Sequence, residues 1–156
     1  MNATPAMRTD LHPEERHLSL ALGIQSLLFA GATLLFAFFA HPLLASINRI
    51  SLALVPGSQP IPDSPERFWF ALALSMMAMI TYIGAMGWWD VRRYLPLVPV
   101  LLISKFASSA VGLSLSLSQW CPAYLAIPAT DFPIFVVTWI LYRRVTRNAR
   151  PRGTPA

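Results

Sequence analysis

The chain has 156 residues, of which 55% are AVILMFWYC and 12% are DEKR, about half the charged fraction of an ordinary soluble domain. That balance points to a membrane protein. The net charge of +5 argues for no nucleic-acid partner, because the arginines stand at the ends of apolar stretches instead of forming a basic face. A single cysteine, Cys121, excludes an internal disulfide framework and any CxxC or Cys/His metal pattern.

Residues 1–17 are polar and of mixed charge and read as a short amino-terminal segment outside the membrane. LSLALGIQSLLFAGATLLFAFFA, residues 18–40, follows without a charge. At about 1.5 Å per residue it exceeds a hydrocarbon core of about 30 Å. It is expected to be a retained span, since its apolar run is long for a signal peptide and Phe38-Phe39-Ala40 makes a poor cleavage site. In the connection at 41–66, Pro56, Pro60, Pro62 and Pro65 bar a helix from the second half. The first half carries Leu43, Leu44, Ile47, Ile50 and Leu54 at roughly helical spacing. It either lies flat among the headgroups or prolongs the first helix, and both readings stand at this point.

The second span is RFWFALALSMMAMITYIGAMGWW, residues 67–89, edged by Phe68 and Trp69 and by Trp88 and Trp89 in the manner of interfacial aromatic belts. A DVRR turn at 90–93 leads to the third span, 94–120, with Pro96 and Pro99 in its first turns. Cys121-Pro122 makes a tight connection to the fourth span at 123–143, which ends in Arg143-Arg144. Residues 145–156 are basic and rich in helix breakers, and an ordered tail is not expected there. The fold class is therefore all-α, an antiparallel bundle of four transmembrane helices over residues 18–144. Gly84 with Gly87, and Ser108 with Gly112, are small residues of the kind that let helices approach closely.

Four spans place Arg8, Arg16, Arg92, Arg93, Arg143, Arg144, Arg147, Arg150 and Arg152 on one side and Arg49 and Arg67 on the other. The positive-inside rule then puts both termini in the cytoplasm and the protein in the inner membrane.

Two charges remain inside the apolar stretches. Lys105 lies 12 residues beyond Arg93, and Asp131 lies 12 residues before Arg143, so each is roughly 18 Å from the arginine level. Their helices are joined by a short turn and must be antiparallel neighbours, so an intramembrane pair between Lys105 and Asp131 is expected. An unpaired lysine at that depth costs about 2.5–3.5 kcal/mol, and a facing carboxylate removes much of the penalty. Ser108 and Ser109 share the lysine's face with Gly112 and Ser116. Thr81, Tyr82 and Gln25, with Thr33, are further candidates for a polar surround. Pro128 and Pro133 bracket Asp131, and each leaves a carbonyl without its helical donor. Such a centre serves either as a structural clamp or as a titrating, substrate-contacting site.

Other residues suggest less. His12, Glu14, Glu15 and His17 have no zinc spacing and read as a solvated helix start. The methionines of SMMAM, residues 75–79, occupy one helix only and read as packing, not as a copper path. No metal site and no cofactor are expected.

The stretch from RFWFALALSMM through VRRYLPLVPVLLISK to TDFPIFVVTWILYRR, roughly residues 67–144, resembles the small bacterial four-helix membrane proteins described as DoxX-like. The resemblance implies a respiratory or thiol-redox association and assigns no functional residue. Neither a nucleophile with its base nor a glycine-rich phosphate loop is found in the sequence. The expected role is that of a non-enzymatic accessory or interaction subunit, in contact with the lipid bilayer and with a membrane-protein partner or further copies of itself. The alternative is a small oligomeric transporter or proton-linked permease that uses Lys105 and Asp131.

Overall fold

A long charge-free run followed by Pro42 sets the shape of the first helix. In the computed structural model, which describes residues 11–62 and 67–149, α1 spans Pro13–Leu54, 42 residues. At about 1.5 Å per residue a straight helix of that length would be about twice as long as a hydrocarbon core is thick. It is not straight: Phe39 leaves helical geometry (φ −130°, ψ 29°), one turn before Pro42. The proline ring crowds the carbonyl four residues earlier and removes a donor, which breaks the helix there. Of the two readings of residues 41–56, helix does continue to Leu54, but as an arm in a new direction. Residues 1–10, 63–66 and 150–156 lie outside the described residues, and with them Arg8, Pro65, Arg150, Arg152 and most of the expected tail. The side chains of Arg67, Phe68 and Trp69 are likewise outside.

The remaining elements are all helical: α2 (Arg67–Trp89), the single turn α3 (Val91–Tyr94), a 3₁₀ turn (Leu95–Leu97), α4 (Val98–Ser118), a second 3₁₀ turn (Pro122–Leu125) and α5 (Ala126–Ala149). The segment expected as a plain DVRR turn is itself helical, because the Asp90 carboxylate caps it by accepting from the Arg93 N–H at 3.1 Å. Pro96 and Pro99 fall at the first positions of the 3₁₀ turn and of α4, so the expected third span is divided into short starts before one long helix. α5 runs past the expected boundary at Arg143 and Arg144 to Ala149. Among the described residues four helices are long and apolar enough to cross a membrane.

α1 and α2, and likewise α4 and α5, run antiparallel and meet through small residues. Against α2, a Cβ on Gly23 would stand 2.8 Å from the Trp88 ring, and one on Gly87 would stand 2.7 Å from Leu22 Cδ1. Ser19 donates to the Trp88 carbonyl and Ser26 to the Thr81 carbonyl, at 2.9 and 2.8 Å. Between α4 and α5, a Cβ on Gly112 would come within 2.9 Å of Pro128 Cδ and 3.0 Å of Ile127 Cβ. The packed apolar core lies toward one end, where Leu18, Leu22, Val91, Val98, Leu101, Leu102 and Val145 cluster.

Polar contacts close that end. Arg92 grips Glu15 with two hydrogen bonds, 2.8 Å to Oε1 and 2.7 Å to Oε2, and Asn148 donates to Glu14. Glu15 also accepts from the His12 N–H at 2.9 Å within the helix start itself, so of the residues read as a solvated helix start Glu14 and Glu15 fasten α1 to its neighbours. At the opposite end the arm of α1 crosses toward the α4–α5 connection. The Asn48 side chain binds both the N–H and the carbonyl of Ile61, and the Gln59 backbone N–H donates to the Trp120 carbonyl. Trp120 ends α4 in left-handed geometry (φ 48°), and the Cys121 N–H reaches back to the Ser116 carbonyl at 3.3 Å. This is the Schellman arrangement, with a tryptophan where glycine is usual.

Two outcomes follow from the packing. Gly112→Ala should lower stability by about 1–3 kcal/mol, since the methyl group must displace a proline ring. Gly31→Ala, which meets nothing within 4 Å, should be neutral or slightly stabilising. Unfolding of the detergent-purified protein by increasing sodium dodecyl sulfate compares the two. The hydrogen bonds from Arg92 hold the Glu15 carboxyl below its ordinary value of 4.5, partial burial pulls the other way, and the His12 N–H adds a push downward. A lowered carboxyl contributes stability above its unfolded value and loses it as pH falls through the folded one. Melting temperature should therefore fall on acidification from about pH 5 to about pH 3, and Glu15→Gln should flatten that dependence.

Candidate functional site

The site is built on two antiparallel helices whose close approach brings opposite charges together. Lys105 projects from the middle of α4 and Asp131 from the second turn of α5, and Lys105 Nζ lies 3.1 Å from Asp131 Oδ1. Both are buried, at 3% and 8% exposure. Ser108 Oγ is placed between Asp131 Oδ2 and the Lys105 carbonyl, 3.1 Å from the latter, and its single proton goes to the carboxylate, the stronger acceptor. Ser109 donates to the same Lys105 carbonyl at 2.8 Å.

A third element completes the enclosure. Phe29 of α1 lies with its ring centroid 3.4 Å from Lys105 Nζ, so the ammonium is held between a carboxylate and an aromatic face. A desolvated cation over a ring gains about 2 kcal/mol, comparable with the cost of placing an unpaired lysine in hydrocarbon. Phe106 and Phe132 both pack near Phe135, with centroid separations of 5.6 and 6.1 Å, adding an aromatic wall one turn along α5.

The other expected members of the polar surround have separate roles. Gln25 donates to Thr138, which is 2% exposed and lies two turns along α5 from Asp131. Thr81 turns its hydroxyl onto the Met77 carbonyl of its own helix, at 2.8 Å, and lends its carbonyl to Ser26. Thr33 bonds the Phe29 carbonyl of its own helix at 2.6 Å. Tyr82 is 61% exposed and stands away from the pair. The structure thus gathers Lys105, Asp131, Ser108 and Ser109 into one group and adds Phe29, while Gln25 forms a second polar contact with Thr138.

Phe29 and Thr138 were not singled out from the sequence. Thr138 carries a signal: it is seven residues from Asp131, hence on the same helical face. Phe29 carries none, for an aromatic residue in a charge-free run looks the same whether it faces lipid or a cation. Among the described residues no group of three His, Cys, Asp or Glu side chains is close enough to hold a metal ion. Compared with family models, with curated proteins and with solved structures, the chain matches none.

The arrangement can neutralise charge and fix helix register, because the ammonium pairs with the carboxylate across two helices and both serines donate within the site. Lys105→Met and Asp131→Asn should each destabilise the protein, by about 3 kcal/mol if either charge is stranded. The double variant should recover much of that loss, and a cycle that simply adds would show the charges to be uncoupled. Phe29→Leu should cost about 1–2 kcal/mol in the wild-type background and much less beside Lys105→Met. The same unfolding assay reads all of these.

Proposed function

We propose that this chain is a four-span inner-membrane protein with both termini in the cytoplasm, acting as a non-enzymatic accessory or interaction subunit. The end carrying Arg92, Arg93, Arg143, Arg144 and Arg147 holds the polar contacts of Glu14 and Glu15, as suits a face in cytoplasm. Lys105 and Asp131 are paired with each other, which supports a structural use of the two charges.

One observation carries the subunit reading. Residues 34–39 of α1, LLFAFF, are exposed without interruption, from Phe36 at 40% to Phe38 at 75%. More than a full turn of helix is uncovered on every side. Helices gain little in lipid from hydrophobicity alone and associate by packing, so an uncovered aromatic turn is a surface on which a neighbouring helix gains contact. The DoxX-like resemblance of residues 67–144 directs the search for that neighbour to respiratory and thiol-redox assemblies.

Alkaline phosphatase fused after residue 57 should be active and the same fusion near residue 149 inactive; the reverse pattern would reject the orientation. Reporter fusions suit this chain better than thiol labelling, because Cys121 is 1% exposed. Purification in mild detergent should recover a different membrane protein at fixed stoichiometry, and replacing Phe36 and Phe38 by alanine should reduce that recovery several-fold. A homodimer that conducts ions in liposomes and loses conduction with Asp131→Asn would replace the subunit reading by the permease.

A further inference from the structure

Where the arm of α1 crosses the α4–α5 connection it leaves a cavity of about 420 Å³, lined by Ile47, Ile50, Ser51 and Leu54 of the arm and by Ala126 and Ala129 of α5, among others. The volume falls within the range of about 300–1,000 Å³ typical of small-molecule sites. The lining is apolar with one exception, Ser51. Ser51 is 6% exposed, and its Oγ has no hydrogen-bond partner. Other hydroxyls on these helices behave differently: Thr33, Ser46, Thr81 and Ser109 each donate to the carbonyl four residues back. A buried hydroxyl without a partner costs about 1–3 kcal/mol, and an acceptor brought in by a ligand removes that cost.

Depth decides what the ligand is. Ala129 and Ala126 precede Arg143 by 14 and 17 residues, which at about 1.5 Å each puts the cavity about 21–26 Å from the arginine level. In a hydrocarbon core of about 30 Å that is the outer half, about 4–9 Å short of the far boundary where acyl chains join their ester carbonyls. At the rim, Ile50 and Leu54 are 60% and 76% exposed, so the cavity opens sideways through apolar side chains. We propose that this cavity holds one acyl chain of an outer-leaflet glycerophospholipid, with Ser51 donating to its ester carbonyl. The proposal rests on the membrane reading above.

Native mass spectrometry of the full chain, purified in detergent and titrated with dioleoylphosphatidylglycerol, tests it. One lipid should stay bound under activation that strips the rest. Ser51→Ala should weaken its retention about fivefold, the value of one ordinary hydrogen bond. Ala129→Phe, which fills the cavity, should abolish retention while leaving the melting temperature unchanged or higher. Ser51→Ala keeps the test decisive if the larger side chain disturbs folding. Equal retention by the wild type and Ser51→Ala would overturn the proposal, as would a tightly held isoprenoid in place of the phospholipid. If carbonate washing released the chain from membranes, the membrane reading itself would fall; a membrane-resident chain whose lipid retention ignores Ser51 would overturn the lipid site alone.

Discussion

An ammonium group in apolar surroundings must find an opposite charge within a few ångströms, and that requirement organises the middle of this protein. Lys105 and Asp131 meet only if α4 and α5 are in one register and nearly in van der Waals contact. Gly112 allows the second condition by leaving room for Pro128 and Ile127 two turns along. A shift of one residue would rotate either side chain by about 100° and leave its charge facing lipid or an unpaired wall. The pair therefore selects one packing from the many that apolar helices of this composition permit, as polar residues do when they fix the register of coiled coils.

α1 carries this order through the rest of the molecule. Toward α5 it offers Glu14 to Asn148 and Gln25 to Thr138, and toward α4 it offers the Phe29 ring to Lys105. Along the side facing α2 it offers Ser19 and Ser26 to backbone carbonyls and Gly23 to a tryptophan ring. These are the contacts expected where lipid tails compete equally well for apolar surface and helices need small residues and hydrogen bonds to prefer one another. On both sides α1 meets its neighbours through specific contacts and not through apolar area alone.

How much was legible in the sequence differs by element. The charge pair could be read because two helices joined by a short turn share a depth scale, and counting residues from flanking arginines places each charge on it. The division of labour among Gln25, Thr81 and Tyr82 could not, since position along a helix gives depth, whereas their partners depend on rotation and on which helices are neighbours. The arm after Phe39 had its cause in view, Pro42, yet a proline states that a helix must bend without stating the direction. The ending of α4 at Trp120 was hidden for a different reason: left-handed geometry favours glycine, and here the reach of the Cys121 N–H to Ser116 overrides that preference.

The arm also bears on the order of assembly. α1 is synthesised first, yet the groups its arm needs, Trp120 and the start of α5, belong to the last helices to emerge. Until then the polar backbone between Val55 and Ile61 has only Asn48 and its own turn for company. Contacts between segments so far apart in the chain form late and slowly. The α4–α5 hairpin thus acts as a latch for a segment that precedes it by about sixty residues in the chain.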